Sequence, residues 1–202
     1  MKPVNLISGK AAPYPGSNVD TDEIVPARFL YRDRREGFGD TLFRDLRFDE
    51  NGNERASFVL NQSRYRGPAV VVAGSNFGCG SSREHAVWAL LDCGIAAVIA
   101  PSFGDIFRNN ALQNGLLPIV LPEVAVSELL RAVADSEVPN VTINLEAQSV
   151  VGPEGSKYTF DIDPQAKKNL LAGLSSIDKT LALQDEIDQF ERGYRAAFPW
   201  SA

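Results

Sequence analysis

The sequence predicts a mixed α/β fold in which buried parallel strands alternate with helices. Three short runs rich in aliphatic and β-branched residues, at 69–73, 95–100 and 116–121, have the composition of buried strands. The stretches between them, 82–93 and 103–113, place apolar residues at helical spacing. Strands that alternate with helices are joined by right-handed crossovers, so we expect a largely parallel central sheet.

The N-terminal region is predicted to supply one strand and several turns. Residues 4–8 form a candidate first strand, and the Pro- and Gly-rich stretch 13–17 is typical of a turn. Residues 58–61 form a further short strand candidate. Segment 33–57, which mixes apolar and basic residues, is expected to be a flap over a cleft or a surface for a partner.

The C-terminal region is predicted to contain helices around a hairpin. An amphipathic pattern predicts a helix over 124–135, and alternation predicts a strand over 141–151 that returns over 157–162. Asp163 and Pro164 open a helix that reaches residue 171 and ends at Gly173. A last helix, 177–196, is expected to have Ser176 as its N-cap.

Composition favours one globular domain, 1–202, with a buried core. The net charge of −6 disfavours nucleic-acid binding. No apolar run approaches the roughly 20 residues that cross a bilayer, and the first residues lack the apolar core of a signal peptide. We therefore expect a cytoplasmic protein without a membrane partner.

Cysteine and histidine are scarce, which argues against a metal site built by this chain alone. The chain has two cysteines, Cys79 and Cys93, and one histidine, His85. Neither a Cys-x-x-Cys pair nor a third cysteine is present, so zinc and iron–sulfur ligation are not expected. Cys93 is expected in the core, Cys79 is expected to fit a tight loop, and His85 is expected to pack or hydrogen-bond near an interface.

The glycine loop, residues 74–80, is the most informative feature because it connects a predicted strand to a predicted helix. Such a loop can present N–H groups at a helix start to a carboxylate or phosphate. Ser81, Ser82 and Arg83 follow it and can all donate to an anion. The alternative is a capping box, with Ser81 as N-cap and Glu84 reaching back.

A second polar group lies in the segment 18–30. Asp20, Thr21 and Asp22 can cap a short helix, or the two aspartates can be paired carboxylates of a site. The residues themselves leave both interpretations open.

Residues 76–86, Asn-Phe-Gly-Cys-Gly-Ser-Ser-Arg-Glu-His-Ala, resemble the signature of 3-isopropylmalate dehydratase small subunits. Residues 18–26 resemble the Asn-x-Asp-Thr-Asp-x-Ile-x-Pro pattern of the same family, and 102–110 and 170–178 also look like it. The resemblance implies a three-layer β/β/α swivelling domain, similar to the C-terminal domain of aconitase.

The resemblance also implies an activity and a partner. A hydro-lyase of this family interconverts 2-isopropylmalate and 3-isopropylmalate through 2-isopropylmaleate, in leucine biosynthesis. The family works as a heteromer, so a large subunit is expected to carry a [4Fe-4S] cluster that acts as Lewis acid, while this chain binds no cofactor. The substrate is a small dicarboxylate.

Site residues are carried over from the family motif. Ser81 is expected to be the base that takes a proton from carbon, with Arg83 and Ser82 binding a substrate carboxylate. Asp22 and Thr21 are expected to lie near the cleft. Another expectation is that Phe29, Leu30 and Tyr31 meet the variable group of the substrate, because an apolar residue at 31 suits an isopropyl group.

Three other functions stay open at this point. A nucleotide-binding module would also use a glycine loop, although the spacing matches neither the dinucleotide fingerprint nor the P-loop. A non-catalytic assembly subunit would tolerate loss of Ser81 and Arg83. A sister hydro-lyase acting on citramalate, citraconate or methylated maleates would share the motif.

Overall fold

Strands dominate the centre of the molecule. The computed structural model describes residues 1–80 and 82–201, and in this part of the chain a seven-stranded sheet has the order β4-β3-β2-β1-β5-β6-β7. The strands are β1 (Leu6–Tyr14), β2 (Val70–Ala73), β3 (Ala97–Ala100), β4 (Leu117–Val120), β5 (Asn140–Asn144), β6 (Ser149–Val151) and β7 (Lys157–Thr159). With the helices between them, the α/β class is confirmed.

The helices connect the strands and extend beyond them. They are α1 (Thr21–Ile24), α2 (Arg44–Arg47), α3 (His85–Asp92), α4 (Asp105–Asn114), α5 (Glu123–Asp135), α6 (Pro164–Ala172), α7 (Ser176–Leu181) and α8 (Gln184–Ala197). α3 and α4 pack on each other, and α5 packs on β1, β2 and β3. None of the helices in the described ranges is long and apolar enough to cross a membrane.

β1 joins two halves of the sheet. Its residues 11–14 pair in parallel with β2, and β2, β3 and β4 continue this parallel half. Its residues 6–10 pair antiparallel with β5, and β6 and β7 continue this antiparallel half. The predicted strand 4–8 is therefore too short, because Ala11 to Tyr14 gain a hydrogen-bonding partner in β2 that local turn chemistry does not reveal.

The parallel half is the apolar centre of the fold. Every residue of β2 and β3 is buried, as expected for strands covered on both faces. Helix α4 ends at Gly115, whose left-handed conformation (φ +89°) is the expected C-terminal cap. The predicted strand–helix alternation in this half is confirmed.

The antiparallel half differs from the prediction. We expected one strand over 141–151, and the structure contains β5 and β6 joined by a turn. The Asn144 side chain accepts a hydrogen bond from the Ala147 N–H at 2.8 Å, and Gln148 has a positive φ of +51°. A side-chain-capped turn of this kind interrupts alternation without a Gly or Pro.

The C-terminal helix prediction was also wrong in detail. The stretch 177–196 is divided into α7 and α8, with Leu183 at the N-cap position of α8. The N-cap of α7 is Ser175, which forms a capping box with Asp178. The N-cap therefore lies one residue earlier than predicted.

Segment 33–57 packs onto the domain. Phe38, Leu42 and Phe43 are fully buried, and the Phe38 N–H donates to the Asp92 carboxylate at 2.8 Å. The strand candidate 58–61 is instead a turn of 3₁₀ helix, Val59–Asn61.

Candidate functional site

Three loops meet at the carboxyl ends of β1, β2 and β3. The Thr21 N–H donates to the Cys79 carbonyl at 2.9 Å, and the Cys79 N–H donates to the Val19 carbonyl at 3.1 Å. On the other side of the glycine loop, the Phe77 N–H donates to the Ser102 carbonyl at 3.1 Å. Ligands of open α/β sheets bind at this edge, so the predicted glycine loop lies where a site is expected.

Two glycines make this close approach possible. Gly78 and Gly80 have φ of +73° and +95°, a region open to glycine at little cost. A Cβ at position 78 would overlap the buried ring of Phe107, and one at position 80 would overlap the Asp20 carboxylate. The glycine loop therefore packs tightly between Phe107 on one side and Asp20 on the other.

Arg83 and Asp22, both predicted site residues, form an ion pair across these loops. Arg83 Nη1 donates to Asp22 Oδ1, and the Arg83 side chain is 21% exposed. Asp20 caps α1 and accepts a hydrogen bond from the Asp22 N–H at 2.7 Å. One aspartate therefore serves as the predicted cap, while the other holds the arginine that follows the glycine loop.

The remaining motif residues have different environments. Ser81, the predicted base, lies outside the described residues. Ser82 is exposed, and its carbonyl accepts a hydrogen bond from Asn110 Nδ2 on α4 at 3.5 Å. Thr21 is completely buried, which fits a structural role in α1 better than contact with a substrate.

The capping-box alternative depends on Ser81 and therefore lies outside the described residues. Helix α3 begins at His85, three residues later than predicted, and its N-cap is Glu84. The Glu84 carboxylate accepts a hydrogen bond from Asn114 Nδ2 at 2.6 Å and makes no cap hydrogen bond. Glu84 therefore has a long-range partner on α4, and Ser82 and Arg83 lie in the loop before α3.

The predicted specificity residues follow α1. Phe29 is half-buried, with the guanidinium groups of Arg28 and Arg32 4.7 and 5.5 Å from its ring centroid. Leu30 is half-buried, and its backbone lies beside the His85 imidazole. Tyr31 is 89% exposed. The structure thus brings Leu30 near the motif and directs Tyr31 to solvent.

His85 packs among aromatic rings. Its ring lies 5.2 Å from Phe38 and 4.7 Å from Trp88, centroid to centroid. Burial lowers the pKa of His85, although the Leu30 backbone and Glu84 oppose this. Its Nδ1 is buried and, among the described residues, has no hydrogen-bond partner. The packing prediction is confirmed, and a neutral imidazole is favoured.

Neither cysteine behaves as a metal ligand or activated nucleophile. Burial raises the pKa of Cys79, and the nearby Asp20 carboxylate adds to the effect. Cys93 is partly buried rather than in the core, and its thiol donates to the Gly39 carbonyl at 3.0 Å. Across residues 1–80 and 82–201, no group of three or more His, Cys, Asp or Glu side chains could hold a metal ion.

Half of the ten arginines in the first half form ion pairs among the described residues: Arg28, Arg32, Arg34, Arg66 and Arg83. Arg28 makes two hydrogen bonds to Asp45 and lowers the pKa of that carboxyl, and Arg32 does the same to Asp40. A crevice of about 570 Å³ lies beside Arg28 and Phe29, and acidic residues line it together with the basic ones. Positive charge there is therefore balanced locally.

The third loop, between β3 and α4, was not predicted to line the site. A cleft of about 270 Å³ opens between the glycine loop and the start of α4, and it is lined by Gly78, Cys79, Gly80, Gly104, Asp105 and Ile106. A Cβ at Gly104 would meet the Gly78 carbonyl. The signal available in the sequence was Gly104, which lies in the loop between the buried strand β3 and helix α4.

Comparison with known proteins identifies relatives over the whole chain. The model of the "Aconitase C-terminal domain" family matches residues 1–124, and a model described as "LeuD_N" matches 127–164. The proteins named 3-isopropylmalate dehydratase small subunit from Parvibaculum lavamentivorans and Phenylobacterium zucineum are both 50% identical. The alignments cover 99% of this chain and 100% and 98% of those proteins.

A solved structure agrees with this relationship. The crystal structure of 3-isopropylmalate dehydratase from Methanocaldococcus jannaschii is 31% identical, with a TM-score of 0.65. The match covers 92% of this chain and 99% of that one. The expected resemblance to the aconitase C-terminal domain is confirmed, and the chain belongs to the family of 3-isopropylmalate dehydratase small subunits.

Proposed function

We propose that this chain is the small subunit of a 3-isopropylmalate dehydratase, a hydro-lyase of leucine biosynthesis. The observation that carries the proposal is similarity to such subunits at about 50% identity over 99% of the chain. The reaction removes water from 2-isopropylmalate to give 2-isopropylmaleate and adds it back to give 3-isopropylmalate. We propose a large-subunit partner and a cytoplasmic location.

Arg83 is proposed to bind a substrate carboxylate. A guanidinium carries five N–H donors, and Asp22 is its one hydrogen-bond partner among the described residues. The other donors can grip a carboxylate in the two-bond geometry that arginine favours. Asp22 keeps the side chain in place before the substrate arrives, which lowers the entropy that binding must remove.

Ser81 is proposed to exchange the proton on carbon. In dehydration its hydroxyl oxygen, as alkoxide, takes the proton from the carbon next to the one that bears the hydroxyl. The electron pair of the broken C–H bond forms the double bond, and the hydroxyl group leaves with its bonding pair as hydroxide. The hydroxide then takes the proton from the Ser81 hydroxyl to give water, which restores the alkoxide. Hydration reverses these steps. Ser82 and Arg83 orient the substrate, and Leu30 and Tyr31 contact its alkyl group.

The residues of this chain do not fit a [4Fe-4S] cluster. Such a cluster takes several cysteine thiolates, and the described residues offer only Cys79 and Cys93, with raised pKa values. We therefore propose that the cluster belongs to the large subunit, and that neither subunit is active alone.

The test is an anaerobic mixing experiment. The chain is combined with its cluster-bearing large subunit, and hydration of 2-isopropylmaleate and of citraconate is followed. We expect turnover that needs both chains and prefers the isopropyl compound. Preference for citraconate would assign a sister hydro-lyase instead, and no turnover from a formed complex with an intact cluster would indicate an assembly subunit.

A further inference from the structure

The C-terminal helix exposes a line of large apolar side chains. We define the α8 aromatic face as the exposed residues Leu183, Phe190 and Tyr194 together with the half-buried Ile187. Phe190 is 70% exposed and Tyr194 46% exposed, and none of the residues of α8, all of which the structure describes, is buried. An amphipathic helix normally buries such a face, so this one lacks its cover in the isolated chain.

The spacing of residues along the α8 aromatic face is typical of a helix that binds in a groove of a partner. Its members follow one another at intervals of four, three and four residues. This is the a/d pattern of helices that insert one side into a partner. The rings of Phe190 and Tyr194 also stack, with centroids 5.9 Å apart, so the face is already ordered.

The exposed rings form one continuous aromatic patch. Phe198 contacts Tyr194 and Trp200, with centroids 5.0 and 5.4 Å apart, and Trp200 is 80% exposed. Aromatic side chains have roughly 150–250 Å² each to bury. At their exposed fractions these rings present roughly 350–590 Å², the size of the largest patch on a typical monomer, and such patches are often functional.

We propose that the α8 aromatic face docks into an apolar groove of the large subunit with a basic rim. The inference rests on the proposed function, which supplies the partner. Helix α8 has four acidic residues and two basic ones, a net charge of −2: Asp185, Glu186, Asp188, Glu191, Arg192 and Arg195. Glu191 and Arg195 form an ion pair. The uncompensated charge is acidic, which suits a basic rim and is unlike the Lys- and Arg-rich helices that bind membrane surfaces.

The comparisons place α8 within the length shared with other small subunits. Both family-model matches end before it, at 124 and 164. The alignments with bacterial small subunits nevertheless span 99% of the chain, so they run through α8. An element of the common length that packs little on its own domain is a candidate for contact between unlike subunits.

The experiment compares two variants that add the same charge to α8. Phe190→Glu with Tyr194→Glu places two carboxylates on the α8 aromatic face, and Gln189→Glu with Ala196→Glu places two on the opposite side. All four positions are exposed, so both variants should fold. Binding to the purified large subunit is measured by analytical ultracentrifugation, together with turnover at saturating large subunit.

We expect the first variant to bind the large subunit about 100-fold or more weakly, since interface aromatics are the usual hot spots. The second should bind like the wild type, and the first should regain turnover when large subunit is raised to saturation. Unchanged binding of the first variant would overturn the inference. Loss of a dimer of this chain, with large-subunit binding unchanged, would overturn it in favour of a second copy.

The two proposals fail differently. If the wild-type complex forms but does not hydrate 2-isopropylmaleate, the proposed function fails, while the binding comparison still decides the role of α8. If turnover is present and both variants bind equally, only the docking inference fails.

Discussion

The two halves of the sheet share β1 and are used differently. Loops from the parallel half carry Asp22 and Arg83 and the glycine loop, whereas none of the candidate site residues that the structure describes belongs to the antiparallel half. The carboxyl ends of parallel strands open at one edge, and successive loops meet there. In antiparallel strands alternate ends face that edge, so the loops are shared between two edges. The candidate site residues therefore lie in the half of the sheet whose strands are parallel.

The space around glycine residues also differs between the two halves of the sheet. In the parallel half a Cβ at Gly78 would overlap Phe107, while in the antiparallel half nothing lies within 4 Å of a Cβ at Gly155. Both glycines have positive φ. Glycine is therefore required at position 78 by the neighbouring Phe107 as well as by the positive φ.

The largest effect is expected from Ser81→Ala. If Ser81 is the base, the variant should lose about 10²–10⁴-fold in kcat, as removal of a general base does. Ser149→Ala, on β6 of the antiparallel half, is the control and should keep its turnover. Both are assayed with the large subunit in excess. Near-wild-type kcat for Ser81→Ala would rule out the base assignment.

Arg83→Ala is expected to rank second. Loss of a charge-assisted contact to the substrate carboxylate should lower kcat/KM roughly 10- to 100-fold. Arg66→Ala breaks the exposed Arg66–Glu54 pair and should leave kcat/KM unchanged, because surface ion pairs contribute little. Equal losses in the two variants would show that Arg83 acts only through general electrostatics.

Gly78→Ala and Gly155→Ala test the backbone contrast directly. Each introduces a side chain at positive φ, at about 1–2 kcal/mol, and Gly78→Ala adds an overlap with Phe107 of about 1–3 kcal/mol. The free energy of unfolding, from urea titration with an unchanged m value, should fall more for Gly78→Ala. Equal losses would show that Phe107 can move aside.

Much of the parallel half could be predicted because its signals are local. Apolar runs of four residues, glycine loops and caps such as Gly115 each act through adjacent residues. The sequence predicted that Arg83 and Asp22 both lie near the cleft, but it did not predict the contact between them. The two positions are 61 residues apart, and α1 brings them together.

One error occurred where a distant partner decides the outcome, because β2 extends β1 past the turn-forming residues near Pro13. Two others were local, because a turn capped by Asn144 divides the predicted strand 141–151 and Ser175 is the N-cap of α7. Helix α8 is a different case. A helix was predicted over this stretch, but the sequence pattern gave no sign that its apolar side would remain exposed.

Tyr31→Arg should have a smaller and selective effect. Tyr31 is exposed, so its replacement should leave the free energy of unfolding unchanged. If it meets the isopropyl group in the complex, a guanidinium there would be left without a partner, and kcat/KM for 2-isopropylmaleate should fall roughly 10-fold. Citraconate, with its smaller alkyl group, should be affected less. An unchanged ratio of the two kcat/KM values would remove Tyr31 from the specificity loop.

The smallest effect concerns His85, the single histidine, which lies at the start of α3. Burial lowers its pKa in the folded chain below the ordinary 6.5, so the unfolded chain binds more protons as the pH falls through that value. The stability contribution of neutral His85 is therefore complete above about pH 6.5 and is lost toward the lower folded pKa. His85→Gln should reduce the difference in unfolding free energy between pH 7.5 and pH 5.5, measured by urea titration. An unchanged difference would mean that the imidazole, despite its contacts with Phe38 and Trp88, titrates equally in both states.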